Sequence, residues 1–279
     1  MHDSRMKHMP TGIPSFDPVL NGGVPLGSVI LLSGGPGGGN VEFVYSSVLY
    51  HARTKKKGTV SDSDKICNPD EIIYITFTKL ASSIRREIEL SFRAESDTFD
   101  GTVRFIDLSK IYFDASIVPR GWYSKTDIVE TLRTKHQEPD NLLSELTKQL
   151  GTIAPGSLII FDSLTDITTP ATGSENEWHQ YISFLRGLQR VSKHWKTTYY
   201  LLISDTIFEP RRMAEIKDCC DAVIKVEWED TGARRRQRVM FIEKFRIVMP
   251  ALEEQDLVKF AVKITAERGF EVSNIRMVI

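Results

Sequence analysis

The 279-residue sequence has only three cysteines, Cys67, Cys219 and Cys220. They are too few and too irregularly spaced for a disulfide framework or a four-ligand zinc site, so they read as reduced thiols, the adjacent pair as small buried hydrophobes. None of the six histidines stands at metal-ligand spacing from a cysteine or carboxylate, and no metal site is expected. No apolar run approaches the ~20 residues that span a bilayer, and the polar stretch Met1 to Met9 has no signal-peptide core. A short tail (1–9), no membrane and a cytoplasmic location are therefore expected. Charge of one sign is also missing: 36 Lys+Arg face 37 Asp+Glu, for a net charge of -1. That balance speaks against a polybasic nucleic-acid binder and against an acidic solvating chain. Repeats and low-complexity tracts are absent, and no Gly-x-Ser-x-Gly elbow surrounds Ser163.

What is present is an alternation of short apolar runs and helix-period segments, the pattern of a mainly parallel sheet flanked by helices. Strands are predicted at Ser28 to Ser33, Glu71 to Phe77, Val103 to Asp107, Ser157 to Asp162, Thr198 to Ser204 and Ala222 to Trp228. Helices are predicted around Val41 to Ala52 and Trp178 to Trp195, with a third from about Lys79 to Arg93 that turns Leu80, Ile84 and Ile88 inward. Lys55 to Asp70 reads as a polar loop. Ile111 to Asp140 reads as a longer excursion with a cluster of aromatics (Tyr112, Phe113, Trp122, Tyr123). After a turn at Asp230-Thr231-Gly232, strands at Gln237 to Glu243, Phe260 to Ala266 and Phe270 to Val272 predict an antiparallel extension (about 230–279) of the same sheet. The expected organisation is an α/β fold in a single domain, 10–279.

Eight of the 18 glycines lie between Gly22 and Gly39. Five of them, Gly34, Gly35, Gly37, Gly38 and Gly39, form a loop directly after a predicted strand and directly before a predicted helix. That is the setting of a phosphate-binding P-loop, Gly-x-x-x-x-Gly-Lys-Ser/Thr. Asn40 holds the lysine position and Val41 the hydroxyl position. A neutral amide replaces the ammonium that contacts phosphate, and valine cannot hold Mg²⁺. A hydrogen bond to a charged group is worth about 1.5 to 3 kcal/mol, so the missing lysine alone weakens nucleotide binding roughly 10- to 150-fold. The loop amides and helix dipole are unaffected.

The stretch Thr11-Gly12-Ile13-Pro14-Ser15-Phe16-Asp17 through Leu20-Asn21-Gly22-Gly23-Val24-Pro25-Leu26-Gly27-Ser28, running into the glycine loop, resembles the opening segment of the KaiC-like branch of the RecA superfamily. The resemblance continues in order at Leu158 to Leu164, Asp218 to Glu227, Lys244-Phe245-Arg246 and Ile264 to Val272. It implies a RecA-type core in which Asp162 falls on the Walker B position that holds Mg²⁺ through water, while Lys244 and Arg246 match an element that reaches a neighbouring subunit's nucleotide. Where the family usually places two glutamates after its second strand, this sequence reads Phe77-Thr78-Lys79. A general base is worth roughly 10² to 10⁴ in rate, so hydrolysis should be poor even if ATP binds.

Phosphate lysine, metal hydroxyl and catalytic carboxylate are thus all missing. The expectation is a pseudo-ATPase, with no catalytic residue, acting as a regulatory or scaffolding subunit with itself or a catalytic KaiC-like relative. No cofactor is expected, and any ATP and Mg²⁺ binding should be weak. Two alternatives stay open: an ATP-binding switch or slow ATPase, and a recombinase-like binder of single-stranded nucleic acid, the less favoured partner. For the latter, Arg234, Arg235, Arg236 and Arg238 offer a basic stripe, partly neutralised across the hairpin by Glu227, Glu229 and Asp230. Arg186, Arg190, Lys193 and Lys196 line one helix, and Arg211 and Arg212 are expected in a loop. A last expectation concerns Asp162: without metal its carboxylate needs another cation, and Lys79 is placed to supply an ammonium.

Overall fold

The computed structural model of the protein describes residues 6–58, 65–123, 142–230 and 236–274. Runs rich in β-branched and aromatic residues form six parallel strands: β3 (Val29–Ser33), β4 (Ile72–Thr76), β5 (Val103–Asp107), β6 (Leu158–Asp162), β7 (Thr198–Ile203) and β8 (Ala222–Asp230). Antiparallel β9 (Arg236–Phe245), β10 (Lys259–Thr265) and β11 (Gly269–Asn274) continue the sheet from β8. The nine strands run in the order β11-β10-β9-β8-β3-β7-β6-β4-β5. Before them, β1 (His8–Met9) and β2 (Val24–Pro25) pair into a short ribbon.

Side chains alternate between the two faces of the parallel strands, and both faces are covered. On one face Ile30, Leu32, Tyr74, Leu158, Ile160 and Tyr200 pack under helices α1 (Asn40–Lys56) and α2 (Ala81–Ser91). On the other, Ile73, Ile75, Ile159, Phe161, Tyr199 and Leu201 pack under α5 (Leu164–Ala171), α6 (Glu175–Trp195) and α7 (Pro210–Asp218), with the short α3 (Ser109–Asp114) and α4 (Leu142–Leu150) beside them. The helix α8 (Met249–Glu253) joins β9 to β10. Among the described residues no helix is long and apolar enough to cross a membrane.

Several expectations are corrected. Ile84 and Ile88 are buried in α2, but Leu80 is 54% exposed because it precedes the helix in an extended conformation. The polar loop starts later than Lys55, since α1 runs through Lys56; its last-turn Arg53, Lys55 and Lys56 suit the negative end of the helix dipole. Arg211 and Arg212 lie on α7, not in a loop. Tyr112 and Phe113 lie on α3 and pack with Tyr123, leaving Trp122 as the exposed member of the cluster at 81%. The Thr231-Gly232 turn, Arg234, Arg235, the excursion after Tyr123, and 59–64 of the polar loop lie outside the described residues.

Candidate functional site

The glycine loop connects β3 to α1 at the carboxyl end of the parallel strands, where open α/β sheets bind ligands. It lies tightly on β8. A Cβ at Gly34 or at Gly38 would stand 2.6 Å from the Val226 carbonyl oxygen, so at these two positions glycine is required by the chain's own packing. From the outside, the Trp228 indole N–H donates to the Gly37 carbonyl at 3.0 Å and Arg238 Nε donates to the same oxygen at 3.1 Å. Trp228 and Arg238 are cross-strand partners on β8 and β9, which is why the guanidinium stacks 4.2 Å above the indole centroid.

Asn40 opens α1 and is buried. Its amide turns back toward the strand, with Nδ2 3.5 Å from the Leu32 carbonyl, at the outer limit of a hydrogen bond. Val41, beside it, is half-buried and brings no polar atom. No side chain caps the α1 N-terminus at Gly39. Ser33, just before the loop, donates to Asp205 at 2.8 Å, and Lys225 stands 3.9 Å from the same carboxylate.

Asp162 ends β6 and is 3% exposed. Parallel pairing sets Thr76 of β4 opposite Asp162, so the residues just beyond Thr76 face this carboxylate. The Thr76 hydroxyl closes a tight turn by donating to the Lys79 carbonyl at 2.9 Å while accepting from the Lys79 N–H at 3.2 Å. The turn brings Lys79 Nζ to 3.1 Å from Asp162 Oδ2 and 3.3 Å from Oδ1. The expected ammonium–carboxylate pair is therefore present. Tyr74, two residues before Thr76 on the same strand face, adds its hydroxyl to Asp162 Oδ2 at 2.8 Å. Beyond it the Tyr45 hydroxyl donates to Glu87 at 3.0 Å, and burial together with the charges of Asp162 and Glu87 holds both phenols well above their ordinary pKa, as neutral donors. The next peptide, Asp162–Ser163, is cis, and Ser163 caps α5 in a reciprocal box with Asp166.

Lys244 and Arg246 lie at the opposite end of the sheet, remote from the loop in sheet position. Lys244 Nζ donates to the Lys217 carbonyl at 2.9 Å and the Asp218 carbonyl at 3.3 Å, capping α7, and Arg246 stands 4.0 Å from the Asp218 carboxylate. Several cations of the basic segments are paired within the chain. Arg212 lies 5.0 Å over Trp178, Arg211 pairs with Glu215, and Lys193 pairs with Asp221. Asp230 neutralises Arg236 at 3.1 Å as expected, whereas Glu227 and Glu229 pair with Lys225 and Lys259 instead of the arginines. Cys219 and Cys220 are buried, and burial pushes both thiols up, away from reactive thiolate.

These residues do not fit the Mg²⁺ that a P-loop site implies. Val41 offers no oxygen, and both Asp162 oxygens already accept from an ammonium. Among the described residues no group of three His, Cys, Asp or Glu gathers to hold a metal ion. Sequence reasoning missed Tyr74, Trp228 and the role of Arg238. The alternation of β4 could have found Tyr74, but the Trp228–Arg238 contact depends on a hairpin register that no local signal gives.

Fold and site together define an α/β chain with a RecA-type core whose strand-to-helix glycine loop sits at the carboxyl edge of the sheet. The fold is that of a KaiC-like protein: the crystal structure of KaiC-like protein PH0186 from Pyrococcus horikoshii superposes with a TM-score of 0.59, covering 96% of this chain and 100% of that one at 18% identity. A local sequence match is to the UPF0273 protein MJ1359 of Methanocaldococcus jannaschii, 48% identical over 48 residues. That match spans 16% of this chain and 20% of the relative's length. No family model matches the chain.

Proposed function

We propose that this protein is a non-hydrolysing member of a KaiC-like assembly, a regulatory or scaffolding subunit whose own nucleotide site has lost its catalytic parts. The observation that carries the reading is the state of Asp162: Lys79 and Tyr74 hold the carboxylate that would otherwise serve Mg²⁺. An ammonium at this position supplies the compensating charge that a buried carboxylate requires, without the geometry or Lewis acidity of a metal. Residues 10–279 act as one domain in this reading. Its partner is a second copy or a catalytic relative, toward which Lys244 and Arg246 face as cations serving the neighbour's nucleotide. Their links to α7 are to backbone carbonyls and to an Asp218 that is itself largely exposed, contacts weak enough to exchange for a phosphate.

Phosphate release by the purified protein with ATP and Mg²⁺ tests the loss of catalysis. The expected rate is indistinguishable from uncatalysed hydrolysis. Turnover on the order of 1 s⁻¹, ordinary for enzymes, would overturn the reading. In a complex with an active relative, Lys244→Ala combined with Arg246→Ala should lower the relative's ATPase rate.

A further inference from the structure

Among the described residues the two most exposed large apolar side chains are Ile117, fully in solvent, and Trp122. Both stand on the short stretch that follows α3, and that stretch is fastened at each end. The Tyr123 hydroxyl donates to Asp114 Oδ1 at 2.8 Å, and Arg120 Nε stands 3.2 Å from the same oxygen. Ser116 Oγ donates to the Phe113 carbonyl at 2.8 Å and accepts from the Val118 N–H at 3.1 Å. The chain thus holds Trp122 outward, at the cost of an indole left in water. Beside the stretch a cavity of about 470 Å³ opens between α3, α4, α5 and α6, walled by Ile111, Tyr112, Leu142, Leu143, Ile167 and Ala171. Ala115 and Ser116, which lead into Ile117, also line it, so an apolar protrusion and an apolar recess adjoin on one face. Contiguous exposed apolar surface of this kind marks an interaction site.

We infer that this face docks a second copy of the chain, each copy placing its Trp122 in the other's cavity. A two-fold contact uses the same patch on both partners, and a patch that carries both anchor and recess is complementary to itself. The recess has room for an indole, which buries about 150 to 250 Å² when it leaves water. The indole N–H then needs an acceptor. The Tyr112 hydroxyl, which makes no hydrogen bond among the described residues, and the Gln180 amide line the cavity to supply one. Charge is divided in the same way. The anchor stretch carries the exposed Arg120, and the cavity carries Glu177, whose Oε2 accepts from Ser174 while Oε1 is left for a cation. A two-fold docking brings guanidinium to carboxylate twice. Two indoles and their surroundings make a contact at the small end of stable interfaces, with a Kd on the order of micromolar. The surface shares no residue with the glycine loop, Asp162, Lys244 or Arg246, so it stands apart from the catalytic reading.

Sedimentation velocity of the full chain over a micromolar concentration series decides the matter. A doubling of mass with rising concentration is expected. Trp122→Ala removes the anchor and should weaken that step by at least about thirtyfold, the loss of one interface hot spot, and by more because both copies lose it. Ala115→Trp fills the recess from its lining and should abolish the step with the anchor intact. Mixing these two variants restores one anchor facing one open cavity, so the mixture should associate where neither variant does alone, more weakly than the wild type. Non-specific apolar adhesion gives no such complementation. Both substitutions are at exposed positions; should Ala115→Trp fail to fold by circular dichroism, Ile117→Ser replaces it as a second loss on the anchor side, with the same weakening expected. No doubling in the wild type, doubling retained in Trp122→Ala, or two folded variants whose mixture recovers nothing would each overturn the inference. All three leave the catalytically dead subunit intact, since that reading is tested by phosphate release and by Lys244 and Arg246.

Discussion

Two buried aspartates stand at opposite ends of the parallel sheet, and each is matched by one lysine. Asp162, at the carboxyl end, is 3% exposed and pairs with Lys79; Asp221, at the amino end, is 5% exposed and pairs with Lys193. Both lysines keep about half of their side chain in water, at 45% and 50%. The charge device is the same, but the remaining partners differ. Asp221 accepts from the backbone N–H of Val29 at 2.9 Å and from Gln189 at 3.2 Å, so it fastens the start of β3 to the start of β8 and to α6. The Asp162 carboxylate accepts only from side chains, Tyr74 and Lys79, and from no backbone N–H. One carboxylate fastens backbone to backbone across the sheet; the other is held by side chains alone.

The amino-end aspartate is therefore expected to carry the larger share of stability. Asp221→Ala leaves the Val29 N–H unsatisfied, takes the acceptor from Gln189 and leaves Lys193 only the Gly27 carbonyl. A loss of about 2 to 4 kcal/mol is expected, less than the full cost of breaking a buried pair because Lys193 can rehydrate. Urea unfolding monitored by far-UV circular dichroism gives the value. A loss below about 1 kcal/mol would erase the distinction between the two ends.

Asp162→Ala should cost less, about 1 to 2 kcal/mol, chiefly because the buried Tyr74 hydroxyl loses its acceptor while Lys79 turns to solvent. The double variant Asp162→Ala, Tyr74→Phe should recover part of that loss, since removing both partners of a buried hydrogen bond costs less than orphaning one. The same unfolding experiment reads both. A double variant less stable than the sum of the two singles would mean that Tyr74 is held by packing and not by the carboxylate.

How much of this was legible beforehand follows from which links are local. The six parallel strands and the glycine loop are written in contiguous residues, and so is the absence of a cation at Asn40. Lys79 could be placed opposite Asp162 because both follow strands whose order the family resemblance supplies, and the Thr76↔Asp162 register bears out that placement. Leu80 was misplaced because a helix-period pattern extends to residues that are apolar by composition but precede the first helical turn. The Trp228–Arg238 stack needed the register of a hairpin, and the anchoring of Asp221 by Val29 links residues 192 positions apart in the chain. Such contacts are set by tertiary packing, and no pattern within either segment announces them.

The smallest effect lies in pH. Beside Asp162, the Asp166 carboxyl is pushed above its ordinary range, first by burial and further by the Asp162 charge, against the opposing pull of the Ser163 cap and of Lys79. A raised folded-state pKa means that the fold holds this proton more tightly than the unfolded chain does. The contribution is fully present below the unfolded value of about 4 and is lost as pH rises through the folded value. Asp166→Asn keeps the size and one capping acceptor while removing the titration, so wild type minus variant stability should decline as pH rises above about 4. Lys79→Ala should steepen that decline, because the ammonium that favours the ionised form is gone. Urea midpoints measured from pH 4 to pH 7 for the wild type and both variants test the sign. A difference that grows with pH would mean that the Ser163 cap outweighs burial, and that the carboxyl end of the sheet is less desolvated than the comparison with Asp221 requires.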